Sequence, residues 1–216
     1  MPEQSQGELN AIYDTAAREG AGRVYDRWAQ GYDAEVLAAG YRLPFLAAAF
    51  AARHIPVGTQ PLLDAGAGTG LVGESLRILG YGGITGLDIS PQMLAVAART
   101  GAYADLRQAD LGQPLSLPGA PFAGALCIGS FGPGHAPPAA LSHILETLAP
   151  GAPLIFNVVA PTYQAQGFAD EISRLESAGL WAVLDRSDPF AAFAGPADDQ
   201  TPVILFACRK TRPGAP

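Results

Sequence analysis

LLDAGAGTGLVGE, residues 62–74, runs from an apolar stretch through a glycine-rich turn into a helical pattern. Such a strand–turn–helix junction lets a ligand approach the backbone closely, because glycine has no Cβ to stand in the way. Gly66, Gly68 and Gly70 give GxGxG, whereas position 71, where a dinucleotide fingerprint needs its third glycine or alanine, is Leu. Asp64 lies at the strand end, where it would repel a pyrophosphate and suit a ligand carrying positive charge. The alternative for these residues is a tight turn with no ligand.

Working outward, strand and helix patterns alternate. PLLDAG (61–66) and ITGLD (84–88) read as strands, with a helix over 70–79 between them that Gly80 stops. Ser90 as N-cap and Pro91 at the first helical position open a helix ending before Gly101. Further strands are expected at 105–109, 124–130 and 153–159, with helices at 138–149 and 168–178. Two late strands, 181–185 and 202–208, have no convincing helix between them. Alternation predicts an α/β fold with a mostly parallel sheet covered on both faces, and the late pair predicts an antiparallel hairpin at its edge. Before the sheet, residues 8–19 and 22–38 read as two helices, and an alanine-rich helix follows Pro44.

A sulfonium and an ammonium group, the charged parts of S-adenosylmethionine, want oxygen acceptors and bring no phosphate. Asp64, Gly66, Ala67, Gly68, Thr69 and Gly70 are therefore candidate cofactor contacts. Asp88, 24 positions after Asp64, ends the second strand and can accept hydrogen bonds from two ribose hydroxyls. Ile89 and Met93 are placed to pack on an adenine, and Asp110 in QADL to accept from its amino group. The aromatic face Tyr25, Trp28 and Tyr32 reads either as helix core or as a lid over the cofactor. Tyr41 and Arg42 are candidate substrate contacts, Arg42 by a bidentate grip on a carboxylate. GSFGPGHAPP (129–138) follows the fourth strand, and His135 is its one residue titrating near neutrality. It is the candidate base and a substrate contact; the alternative is a surface histidine on a turn shaped by Gly132, Pro133 and Gly134.

Composition narrows the classes. The 216 residues are 49% hydrophobic and 15% charged with a net charge of −7, which suits a globular domain and argues against nucleic-acid binding. Lys210 is the one lysine. Cys127 and Cys208 sit in apolar runs and read as buried thiols, and three scattered histidines give no metal-ligand spacing, so no metal is expected. No signal peptide and no membrane span are expected, which makes the cytoplasm the default compartment.

DAGAGTG, GLDISPQML, QADL and LAPGAPLIF resemble, in order and spacing, the motifs of class I S-adenosylmethionine-dependent methyltransferases. More narrowly, YDRWAQGYDAEV, GYRLP and RLESAGLW look like the Williams–Beuren region methyltransferase-like family, from about Tyr25 to Lys210. The resemblance implies a three-layer Rossmann-like fold and one methyltransferase domain over 1–216. Within it, 1–55 is an N-terminal helical cap, 56–210 the core and 211–216 a tail. It implies cofactor contacts at Gly66, Ala67, Gly68, Asp88, Ile89, Asp110, Leu111, Ile128 and Gly129, with the aromatic helix capping the cofactor. The chain departs from that pattern at Phe122-Ala123, where an aromatic–Asp pair is common, and at Gly151-Ala152. The absence of Asn/Asp-Pro-Pro-Tyr after strand four points away from amino groups of nucleobases and proteins, and towards a small-molecule acceptor. An NAD-dependent oxidoreductase and a non-catalytic S-adenosylmethionine-binding module are the competing functions.

Overall fold

The computed structural model describes residues 21–194 and 201–211. Four short apolar runs lie side by side as parallel strands: β1 (Leu62–Ala65), β2 (Ile84–Asp88), β4 (Gly124–Cys127) and β5 (Pro153–Val159). Their side chains are buried almost throughout, as a sheet covered on both faces requires. β3 (Tyr103–Gln108) adds a parallel edge beside β2. β8 (Pro202–Lys210) runs antiparallel between β5 and the far edge strand β6 (Trp181–Arg186), and the two-residue β7 (Phe190–Ala191) also pairs with β8. The order is β3-β2-β1-β4-β5-β8-β6, a mostly parallel α/β sheet with an antiparallel hairpin at its C-terminal end.

Residues alternate between two apolar layers. Leu63, Cys127 and Phe156 face a layer containing α6 (Ala140–Glu146) and α8 (Phe168–Ser177). Leu62, Leu126 and Ile155 face one built by α3 (Leu43–Ala51) and α4 (Leu71–Ile78). Cys127 and Cys208 are both buried and free. Residues 8–19, expected as a helix, lie outside the described residues. The helix expected over 22–38 is two helices, α1 (Ala21–Trp28) and α2 (Tyr32–Ala38). Gly31, a poor helix former, takes the break, and Trp28 Nε1 donates to Glu35 across it at 2.7 Å.

Other boundaries moved for local reasons. β3 begins at Tyr103 rather than 105, because Tyr103 pairs with Ile84 ahead of an irregularity in register. β4 stops at Cys127, since Gly129 has φ +77 and turns the chain out of the sheet. Helix α7 (Ala160–Ala165), with Pro161 in its first turn, was not foreseen. α5 (Pro91–Ala97) starts as expected: the Ser90 side chain accepts from Met93 N at 3.0 Å.

Candidate functional site

Strand order reverses between β1 and β4, and in sheets of this kind the crevice beyond the strand ends at that point is where ligands bind. Residues 66–69 of the glycine loop form its floor. Gly66 and Ala67 N–H both donate to Leu87 O (2.8 and 2.7 Å), Gly68 N–H to Asp88 Oδ2 (2.8 Å) and Gly70 N–H to Ala67 O (3.0 Å). These four amides are thus spent inside the protein. Gly66 and Gly68 have positive φ, +79 and +55. A Cβ on Gly66 would lie 2.0 Å from Ser130 Oγ, whereas on Gly68 it would enter the open cleft.

Asp88 sits at the cleft wall, its second oxygen accepting from Ser90 N at 2.9 Å. Burial above all pushes its carboxyl up, against the pull of the backbone donors. Ile89 and Met93 continue that wall, and Gly22 of α1 lies over Ile89. Asp110 and Leu111, just past β3, close it; Asp110 Oδ1 accepts from Gly112 N at 2.8 Å. On the β4 side stand Ile128 and Gly129, whose amide donates to Asn157 Oδ1 at 2.7 Å. Ala67 and Thr69 complete the floor, and the Thr69 hydroxyl donates to Asp33 of α2.

The aromatic stripe divides. Tyr25 and Tyr32 line the cleft. Trp28 lies beneath them in the core, its ring 6.0 Å from Tyr25 and 4.6 Å from Tyr32, so it supports the cleft without lining it. Tyr25 Oη reaches across to His135 Nε2 at 2.7 Å, and His135 Nδ1 meets Pro133 O at 2.8 Å. Burial holds the His135 imidazole below its ordinary value. Asp26 fastens the same helix: one of its oxygens accepts from both Ser90 Oγ and Gln92 N.

Three further candidates are placed elsewhere. Arg42, expected to grip a carboxylate, is turned to Ala191, donating from Nε and Nη2 to its carbonyl (3.3 and 3.2 Å). It does not line the cleft, although its neighbour Tyr41 does. Gly70 faces Thr100, Ala97 and Tyr103 rather than the cleft. Asp64 lies under the loop, 1% exposed. Its Oδ2 accepts from Tyr103 Oη at 2.7 Å, and its buried Oδ1 has no partner. Burial, opposed by the Tyr103 bond and aided by the nearby Asp88 charge, raises Asp64 to about 7. Tyr103 gets there through a slot of two glycines: a Cβ on Gly73 would meet its ring at 2.4 Å, and one on Gly86 at 2.9 Å.

Sequence reasoning missed Asn157, Asp26, Asp33 and Tyr103. Asn157 carried a signal, being a lone amide in the apolar run PLIFNVV. The other three act through contacts 36 or more residues apart.

These residues fit S-adenosylmethionine on the structure's own terms. A side-chain-free glycine opens on the cleft, two acidic walls offer acceptors, and the buried Asp64 carboxyl lies beneath the loop. Among the described residues, no three of His, Cys, Asp or Glu gather to hold a metal ion, and no helix is long and apolar enough to cross a membrane.

The methyltransferase-domain family matches residues 62–151. Human methyltransferase-like protein 27 is 34% identical over 166 residues, spanning 74% of this chain and 67% of the relative. Magnesium protoporphyrin IX methyltransferase from Synechocystis PCC 6803, solved with bound S-adenosylhomocysteine, superposes with a TM-score of 0.63 at 13% identity, over 93% of this chain and 100% of that one. A TehB-like S-adenosylmethionine-dependent methyltransferase from Corynebacterium glutamicum gives 0.62 at 18% identity, over 87% and 98%.

Proposed function

The chain belongs to the class I S-adenosylmethionine-dependent methyltransferases, and from that premise we propose that it methylates a small-molecule acceptor bound between α1 and the loop 129–137. When bound, S-adenosylmethionine supplies an electrophilic methyl group on a sulfonium. Asp88 keeps lone pairs beyond those given to Gly68 and Ser90, and accepts the ribose hydroxyls. Asp110 accepts the adenine amino group, while Ile89, Met93 and Leu111 flank the ring. Asp64, ionised, sets negative charge beneath the loop for the cationic end.

The commitment of the loop amides is the observation that carries this reading. A pyrophosphate needs free N–H groups at the glycine turn, and four of the five in the loop, those of Gly66, Ala67, Gly68 and Gly70, are already given to Leu87, Asp88 and Ala67. A small acceptor is supported by the closure of the cleft, where α1 and α2 are clasped at Asp26–Ser90, Asp33–Thr69 and Tyr25–His135. Calorimetric titration with S-adenosylhomocysteine and with NAD tests the site. The first should bind and the second should not. Asp88→Ala should weaken S-adenosylhomocysteine by about 1.5–3 kcal/mol, as charge-assisted hydrogen bonds are lost; tight NAD binding would overturn the reading. A panel of small acceptors assayed against a peptide and a nucleic acid then tests the size of the substrate.

A further inference from the structure

We propose that His135 is the general base for a neutral phenolic acceptor, and that the Tyr25 hydroxyl occupies the acceptor's place on His135 Nε2 until substrate displaces it. This rests on the methyltransferase reading of the cleft. The argument starts from Nδ1. It lies 2.8 Å from Pro133 O, a carbonyl that can only accept, so Nδ1 carries the ring proton. Burial keeps the imidazole neutral at pH 7. Nε2 is therefore the accepting nitrogen, and Tyr25 Oη, 2.7 Å away, donates to it. The tautomer is fixed by the backbone, as it must be for a histidine that takes up a proton at a stated atom.

A tyrosine hydroxyl is itself a phenol. What Nε2 receives from Tyr25 is the hydrogen bond a phenolic substrate would give, from a ring of the same shape at the same distance. The surroundings suit such a ring: Tyr32, Tyr41, Ile128 and Pro137 line the neighbouring walls. Among the described lining residues no side chain is cationic, and Arg42, outside them, donates to Ala191 O. These described walls thus present no positive side chain to a phosphate or carboxylate and suit an uncharged acceptor.

A phenol is almost wholly protonated at neutral pH and is a poor nucleophile in that state. As its oxygen forms the bond to the methyl carbon, the carbon–sulfur bond breaks with its electron pair going to sulfur. The phenolic proton passes to Nε2, and the imidazolium then releases it to water. Tyr25 is drawn off Nε2 when substrate enters, which ties acceptor binding to a movement of α1.

The test uses para-cresol, a phenol that stays protonated at neutral pH, titrated by calorimetry into the S-adenosylhomocysteine-loaded protein and two variants. Tyr25→Phe should bind it roughly fivefold more tightly, because the competing hydroxyl is gone, and His135→Gln roughly fivefold more weakly, at about one hydrogen bond each. With S-adenosylmethionine, turnover of the phenol should fall at least about a hundredfold in His135→Gln, whose S-adenosylhomocysteine affinity should stay within twofold of wild type. If Tyr25→Phe weakens the phenol and S-adenosylhomocysteine alike, the pair is only a clasp and the proposal is overturned. It also falls if the phenol ignores His135→Gln, or does not bind wild type, while S-adenosylhomocysteine does bind. Failure of S-adenosylhomocysteine to bind wild type at all would overturn the methyltransferase reading itself.

Discussion

Replacing Asp64 by Asn should remove one large pH-dependent contribution to the protein's stability. Asp64 is 1% exposed, with one oxygen held by Tyr103 and the other unpaired. Its carboxyl is raised from an ordinary 3.8 to about 7, first by burial. In the unfolded chain it loses its proton near pH 4, but in the fold it keeps it until about 7. The folded state is therefore favoured most at low pH and loses that advantage as pH rises from about 4 to about 7. Each tenfold change in proton affinity is worth about 1.4 kcal/mol, so the full loss is about 4 kcal/mol, of which about 3 falls between pH 5 and 8. Asn can still accept from Tyr103 and cannot ionise. Urea denaturation of both proteins at pH 5 and pH 8 isolates the effect, since every other group titrates in both. The Asn variant should gain about 3 kcal/mol on wild type between the two pH values. The same carboxylate should make wild-type affinity for S-adenosylmethionine fall roughly tenfold from pH 8 to 6, a dependence the variant lacks. A stability difference that stays constant from pH 5 to 8 would refute the reasoning.

The glycine positions separate ligand space from packing space. Gly68→Ala puts a methyl into the open cleft at φ +55, so cofactor affinity should drop at least about tenfold for about 1 kcal/mol of stability, read by calorimetry and urea denaturation. Gly73→Ala puts the same methyl 2.4 Å from Tyr103 and should destabilise by about 1–3 kcal/mol through overpacking. Asp26→Ala combined with Asp33→Ala removes two clasps from the helical pair, and hydrogen exchange in residues 21–38 should quicken while β1 and β5 stay protected.

The glycine loop, Asp88 and the sheet covered on both faces were legible because each is written locally: a turn chemistry, a strand end, an apolar run. The hairpin was legible from a missing helix between 181–185 and 202–208. What escaped depends on residues distant in the chain. Nothing near Asp26 or Asp33 says that one meets Ser90 and the other Thr69. Arg42 has the chemistry for an anion, and only the approach of Ala191 shows that its donors are taken. Tyr25 and Trp28 share one helical stripe, yet Trp28 packs into the core and donates to Glu35, while Tyr25 faces the cleft. His135 was legible as a titratable group, whereas its tautomer needed the Pro133 carbonyl.

The clasps that hold α1 and α2 over the cleft have a consequence for ionic conditions. Asp26 and Asp33 take hydrogen bonds from a serine and a threonine hydroxyl, and Tyr25 meets a neutral imidazole, so no clasp pairs opposite charges. Mobile ions screen charge from charge over about 8–10 Å at ordinary ionic strength, but have little purchase on a buried hydroxyl. In an acidic chain with a net charge of −7 these three described contacts thus rest on hydroxyls and a neutral ring, and each should persist alike in dilute buffer and in brine.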